Sequence, residues 1–255
     1  MRSKRVKTLK EIFSRLRWKR EDVGFGCDFC ETELFDYPKH RLCRACEEKL
    51  PLVGENHCTK CGRKATVLAV CTLCKQRTPL FTQAFSLYNY DGIIPREINR
   101  FKSGDRYLRR TFGERLYKKV HAFTKDREEE FLLVPVPLSK TRLMTRGYNQ
   151  STELAKVVSM RTGIPVLEDL LEKTREADSQ KDAVGENRFD NVKGAYRVKK
   201  RKACFGKSIL LIDDIMTTGA TVSECARVLT NAGAKNVYVF TLASVEDKLR
   251  DEETV

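Results

Sequence analysis

Apolar residues along the second half of the chain alternate between two rhythms. Phe131-Leu-Leu-Val-Pro-Val136 and Ser208-Ile-Leu-Leu-Ile212 are unbroken runs of strand length, the pattern of strands covered on both faces. Between them, Asn149 to Arg161 places Leu154, Val157 and Val158 on one helical face, with Gly163 just past the end as a stop signal. A short strand is predicted near Ile164–Leu167, a helix from about Thr221 to Asn231, and a further strand over Asn236–Leu242. From residue 81 onward this alternation predicts an α/β domain with a mostly parallel sheet and helices on both faces. Such sheets take their ligands at the carboxyl ends of the strands.

The first 22 residues follow a different rhythm. Leu9, Ile12, Phe13 and Leu16 form a helical stripe, and Thr8 with Glu11 reads as a capping box. Lys7, Lys10, Arg15, Arg17 and Lys19 lie away from that stripe. Two readings follow: a helix packed on its own body with a solvated charged face, or a basic helix that docks on nucleic acid, a partner or an anionic membrane surface.

Between these regions the pattern is set by cysteine. Cys27-x2-Cys30, Cys43-x2-Cys46, Cys58-x2-Cys61 and Cys71-x2-Cys74 are separated by twelve, eleven and nine residues. A Cys-x-x-Cys knuckle offers two thiolates to one tetrahedral ion, and two knuckles close a four-thiolate site, for which Zn2+ is the default occupant. Two structural zinc ions are expected. Pairing in sequence gives two tandem ribbons, and hairpin-length loops favour it over a cross-braced arrangement. His40 and His57 are bystanders beside eight thiols. No apolar leader precedes the block and no run approaches a membrane span, so a reducing, cytoplasmic location is expected.

Composition sharpens the class of partner. The chain of 255 residues has 33% charged and 41% apolar residues and a net charge of +14, which excludes wholesale disorder and favours anionic ligands. Residues 1–22 carry nine basic and three acidic groups. A second excess lies between residues 131 and 205, including Lys140–Arg146 and Lys199–Lys202. With Tyr148, Tyr196 and Phe205 nearby, these patches fit backbone attraction and base stacking by single-stranded DNA; Lys199–Lys202 fits a solvated turn equally well.

The densest chemistry is Ile209-Leu-Leu-Ile-Asp213-Asp214-Ile-Met-Thr217-Thr218-Gly219-Ala220-Thr221-Val222. The apolar run drives a strand into the core, so two vicinal carboxylates emerge at the sheet rim and need hydroxyl or cation partners. The Thr-Gly turn then opens a helix whose amides can cradle a phosphate. A carboxylate pair for ribose hydroxyls followed by a phosphate nest describes a ribose-phosphate site.

Residues 209–222 resemble the phosphoribosyl-pyrophosphate (PRPP) motif of type I phosphoribosyltransferases. The wider pattern is similar to the ComF family. It includes the knuckles, Tyr88-Asn-Tyr90-Asp-Gly92 before Phe101-Lys102, Val134-Pro-Val-Pro137 before Arg146-Gly147-Tyr-Asn149-Gln150, and Lys173-Thr-Arg175 with Gln180 before Arg188, Asn191 and Gly194-Ala-Tyr196. The resemblance implies a mostly parallel α/β sheet of the type I phosphoribosyltransferase kind, preceded by a small zinc-ribbon domain. The resemblance covers about residues 27–245 and leaves the arm and tail outside it; the expected divisions are a basic amphipathic arm (1–22), a double zinc ribbon (23–80), a phosphoribosyltransferase-like domain (81–245) and an acidic tail (246–255).

By the same resemblance, Asp213 and Asp214 contact the ribose hydroxyls of PRPP, and Thr217, Thr218, Gly219, Ala220 and Thr221 hold its 5-phosphate. Lys140, Arg142 and Arg146 face the pyrophosphate with Mg2+. Lys173–Arg188 corresponds to a mobile covering loop. The family implies a role in natural transformation, handling incoming single-stranded DNA at the inner face of the cell membrane beside a ComFA-type translocating ATPase. The chain lacks a Gly-x4-Gly-Lys-Ser/Thr loop, so it is not the motor. An active PRPP-dependent transferase of nucleotide metabolism is the alternative. Thr217 stands where purine-specific members carry a carboxylate, which argues against a purine acceptor.

Overall fold

The computed structural model describes residues 26–36, 41–175 and 187–246. The chain forms two compact units, Met1–Lys49 and Leu50–Val255. The N-terminal arm, His40, most of Lys173–Arg188 and the tail beyond Glu246 lie outside the described residues.

In the first unit Gly26 bridges Glu33, and the Cys27 amide donates to the Thr32 carbonyl at 2.7 Å. The short helix α1 (Arg44–Glu48) starts at Cys43, so the second knuckle is a helical turn. The second unit opens with the same device. Cys58 and Arg63 are joined by an amide–carbonyl bond of 2.7 Å, and α2 (Thr72–Gln76) starts at Cys71.

The rest of the second unit runs β1 (Gln83–Asn89), α3 (Ile94–Ser103), α4 (Arg109–Thr124), β2 (Phe131–Pro135), α5 (Lys140–Arg146), α6 (Gln150–Thr162), β3 (Leu171–Lys173), α7 (Asn187–Val192), β4 (Tyr196–Val198), α8 (Arg201–Cys204), β5 (Ser208–Met216), α9 (Ala220–Asn231) and β6 (Asn236–Ser244). Four strands form one parallel sheet in the order β1-β6-β5-β2. The register sets Leu211 of β5 beside Val134 of β2 and Val239 of β6. β3 and β4 form a separate antiparallel pair.

Side chains alternate between the two faces of the sheet. Tyr238 and Phe240 meet Phe123 of α4 at ring distances of 4.7 and 5.5 Å. On that side α4 and α6 approach closely because Gly113 has no side chain; a Cβ there would stand 2.6 Å from Cβ of Val157. Ile209, Leu211, Val237 and Val239 join a cluster with Val222, Cys225, Ala226 and Leu229 of α9. Cys58, Cys61, Cys71 and Cys74 belong to that cluster, so the second set of thiols lies within the hydrophobic core of the sheet domain.

Several sequence expectations shift. The basic stretch before Arg146 reads as a loop but forms α5, because the Ser139 hydroxyl accepts from the Arg142 amide at 3.3 Å and Gly147 closes the helix at φ 75°. The strand expected at Ile164–Leu167 reduces to a parallel bridge between Val166 and Leu133. β5 continues through both aspartates to Met216.

Candidate functional site

β5 delivers the site. Its first five residues are buried, and Asp213 and Asp214 follow at the rim, half-buried. The Asp213 carboxylate accepts from the Ser151 hydroxyl of α6 at 3.1 Å and from the Asp214 amide at 2.9 Å. Lys102, at the end of α3, places its ammonium 3.0 Å from Asp214 Oδ2. Desolvation and then the Asp214 charge push the Asp213 carboxyl up to about 7; Lys102 and Ser151 oppose them. Burial and the like charge thus favour the protonated form of Asp213 over that of an ordinary carboxyl.

The chain turns immediately after the acids. Gly219 adopts φ 85° and serves as N-cap of α9, a left-handed conformation that costs glycine little. The Thr218 hydroxyl accepts from the Ala220 amide at 3.3 Å. Thr217 is exposed, whereas Gly219 and Ala220 are buried. The opening amides of α9 lack intrahelical partners, and the positive helix end lies in line with the turn. The segment can accept an anion.

Tyr196 of β4 is buried beside this turn. Desolvation first, then Cys225 and Asp213, raise its phenol well above the usual tyrosine value, while a hydrogen bond with Thr221 and the charge of Arg142 oppose them. β4, α5, β5 and α9 thus converge. Lys140 and Arg142 are exposed on α5, and Arg146 donates to Gln150 at 3.1 Å. Lys102, Ser151 and Arg63, described below, had no assigned role in the sequence. Each comes from a segment remote in the chain; Lys102 entered only through the Phe101-Lys102 family pattern, and no local pattern marks Ser151 or Arg63.

Of the three aromatic residues expected beside the basic patches, two turn inward. Tyr196 is buried, and the Tyr148 hydroxyl donates to the Phe101 carbonyl. Phe205 alone of the three is open, 74% exposed. It lines a shallow pocket of about 450 Å³ with Arg201, Lys202, Asn231, Ala232 and Gly233. Lys200 is paired with Asp169 at 2.7 Å.

The thiols group in sequence. The sulfurs of Cys27, Cys30, Cys43 and Cys46 lie within 4.8 Å of one another, as do those of Cys58, Cys61, Cys71 and Cys74. Separations of 3.5 Å for Cys30–Cys43 and 3.7 Å for Cys61–Cys71 match the edge of about 3.8 Å expected of a tetrahedron with Zn–S bonds of about 2.3 Å. Both sets can hold a metal ion.

The parallel sheet and the acid pair leading into a helix-opening turn define a protein of the type I phosphoribosyltransferase class, and the Phosphoribosyl transferase domain family matches residues 143–255. The chain is 32% identical to the competence protein ComFC of Bacillus subtilis (strain 168), covering 87% of this chain and 92% of that one. It is 27% identical to competence protein F of Haemophilus influenzae, covering 86% and 97%. The DNA utilization protein YhgH of Escherichia coli O157:H7 is also 27% identical, covering 79% and 89%. The chain belongs to the ComF family. Among solved structures, a phosphoribosylpyrophosphate synthetase from Mycobacterium smegmatis overlaps 53% of this chain and 34% of its own, with a TM-score of 0.34 and 19% identity.

Proposed function

We propose that this chain is a competence protein of the ComFC kind, acting in DNA uptake, with a PRPP-binding site and an affinity for single-stranded DNA. One observation carries the ligand reading: Asp213 and Asp214 end a buried strand, and the next residues turn into the start of α9. In this reading the two aspartates take the ribose hydroxyls and Thr217–Thr221 take the 5-phosphate. Lys140, Arg142 and Arg146 face the pyrophosphate, and Mg2+ accompanying PRPP neutralises part of its charge. Each cysteine set holds a Zn2+; a closed site of four thiolates leaves no open coordination position, so its role is structural.

The competence role rests on the names of the relatives. A ComFA-type translocating ATPase is the corresponding partner, at the cytoplasmic face of the membrane. No helix among the described residues is long and apolar enough to cross a membrane. The exposed Phe205, which lines a pocket with Arg201 and Lys202, supports contact with a DNA strand by stacking and charge.

Calorimetric titration of PRPP·Mg2+ tests the site. Asp213→Asn with Asp214→Asn should abolish the heat, and unchanged binding would sink the assignment. Single-stranded DNA affinity should fall with salt, and less steeply in Lys202→Ala. A flat salt response removes the nucleic-acid reading. The same site serves a second reading, an active PRPP-dependent transferase of nucleotide metabolism. Pyrophosphate release from PRPP in the presence of an acceptor decides between them.

A further inference from the structure

Arg63 is almost fully buried, with 2% of its surface exposed. It follows directly on the Cys58–Cys61 knuckle, and its carbonyl accepts from the Cys58 amide at 2.7 Å. Gly62 adopts φ 69° there, and a Cβ at that position would collide with the Ala84 carbonyl of β1. The knuckle is therefore pressed against the sheet, and the arginine side chain continues inward. Its Nη2 donates to the carbonyl of Thr217, far away in the chain. The same nitrogen stands 3.9 Å from where a Cβ on Gly219 would lie. Arg63 Nε is buried with no hydrogen-bond partner.

A guanidinium cannot shed its charge by deprotonation. Burying it without full hydrogen bonding is costly, because each unmet donor loses its water. Holding the Thr217 carbonyl uses one of its five donors. An anion seated in the Thr217–Thr221 turn would offer acceptors and a compensating charge to the rest. The backbone amides at a helix start supply partial charge only, so a full positive charge behind them alters the strength of the site.

We infer that Arg63 is a positioning residue of the phosphate-binding turn, delivered by the second cysteine set: it fixes the Thr217 carbonyl and places a full positive charge behind the turn. This rests on the reading of Thr217–Thr221 as the seat of the 5-phosphate and adds what that reading lacks, a link from the metal centre to the ligand.

The test uses the full chain with its metal bound and two probes, ribose 5-phosphate and pyrophosphate·Mg2+. Arg63→Met keeps the aliphatic length and removes the charge; Arg63→Lys keeps the charge and loses the fork. Arg63→Met should bind ribose 5-phosphate about ten- to a hundredfold more weakly, the range for a lost charge-assisted hydrogen bond. Arg63→Lys should recover part of that loss. Pyrophosphate·Mg2+, which engages α5, should bind both variants as it binds the wild type. Equal weakening of both probes would reduce Arg63 to a general folding role and overturn the inference. Wild-type affinity for ribose 5-phosphate in Arg63→Met would overturn it too, while loss of that affinity in Asp213→Asn with Asp214→Asn kept the site reading intact. If the wild type binds neither probe, the site reading falls and this inference falls with it. Should Arg63→Met fail to retain two metal ions, Arg63→Lys carries the test: weakening toward ribose 5-phosphate alone supports the inference, and wild-type affinity for it or equal loss of both probes overturns it.

Discussion

Lys102 Nζ stands 3.0 Å from Asp214 Oδ2, and this single contact divides the acid pair into unequal members. Asp214 has a cation at hand. Asp213 has a hydroxyl, a backbone amide and a like charge next door, and desolvation pushes it up to about 7.

The first prediction follows from that inequality. A raised carboxyl holds a proton in the folded protein that the unfolded chain has already lost, so stability contributed through Asp213 falls as pH rises from about 4 to 7. Ligand binding has the opposite sign, because sugar hydroxyls and cations seek the carboxylate. PRPP·Mg2+ affinity should be about tenfold weaker at pH 6 than on the plateau above about 8. Lys102→Gln should move the midpoint upward. The same titration on Asp213→Asn removes the ligand's own ionisation from the comparison, and a wild-type profile in that variant would refute the assignment.

Glu153 behaves in the reverse sense. It is 3% exposed and accepts from Arg106 at 2.6 Å and from Arg109. Desolvation alone would raise its carboxyl, but the two guanidinium groups outweigh burial and hold it below the usual range. Its stabilisation is present above about pH 4.5 and is lost as pH falls through the lowered value. Glu153→Gln should cost about 1–3 kcal/mol at neutral pH, toward the lower end because both arginines are half in water. Urea melts from about pH 3 to 7 should show a flatter acid limb in the variant.

The two cysteine sets should release metal at different rates. Cys30 is exposed and Cys43 half-buried, whereas Cys58, Cys61, Cys71 and Cys74 are all buried. A chromogenic chelator should remove two equivalents in two phases. Cys30→Ser should delete the fast phase and Cys58→Ser the slow one. A single phase, or one equivalent per chain, contradicts the grouping.

Two glycines separate backbone strain from collision. Gly219 has φ 85°, and a would-be Cβ there meets only ordinary van der Waals contacts, the nearest being the Met216 sulfur at 3.8 Å. Gly219→Ala should cost about 1–2 kcal/mol, the left-handed penalty alone. Gly62→Ala adds the clash with the Ala84 carbonyl and should cost more. Equal melting shifts in the two variants would show that the knuckle yields.

What the sequence revealed depended on the range of each interaction. Helix α6 and strands β5 and β6 announced themselves because their apolar spacing is local, and Asn149 and Gly163 mark the ends of α6. The four knuckles were legible for the same reason. The contribution of Lys102 and Ser151 to the acid pair was not, since α3 and α6 meet β5 only after the sheet has formed. α5 was misread because its exposed Lys140 and Arg142 mask the Ser139 cap. Tyr196 read as a surface aromatic because β4 is three residues long and carries no periodicity. Arg63 lay hidden in a metal-binding turn, where a basic residue commonly faces water.

The second thiol set shares its core with Val222, Val237 and Val239, and this has a consequence for the order of assembly. The cysteines leave the ribosome well before the strands that bury them, so the early chain presents the thiol set with an uncovered apolar flank. Closing it requires contacts between segments far apart in sequence, a slow class of folding event. Until β5 and β6 arrive, that flank is open to misassociation, and an ion held by the thiols would be needed from the outset of synthesis to stiffen it.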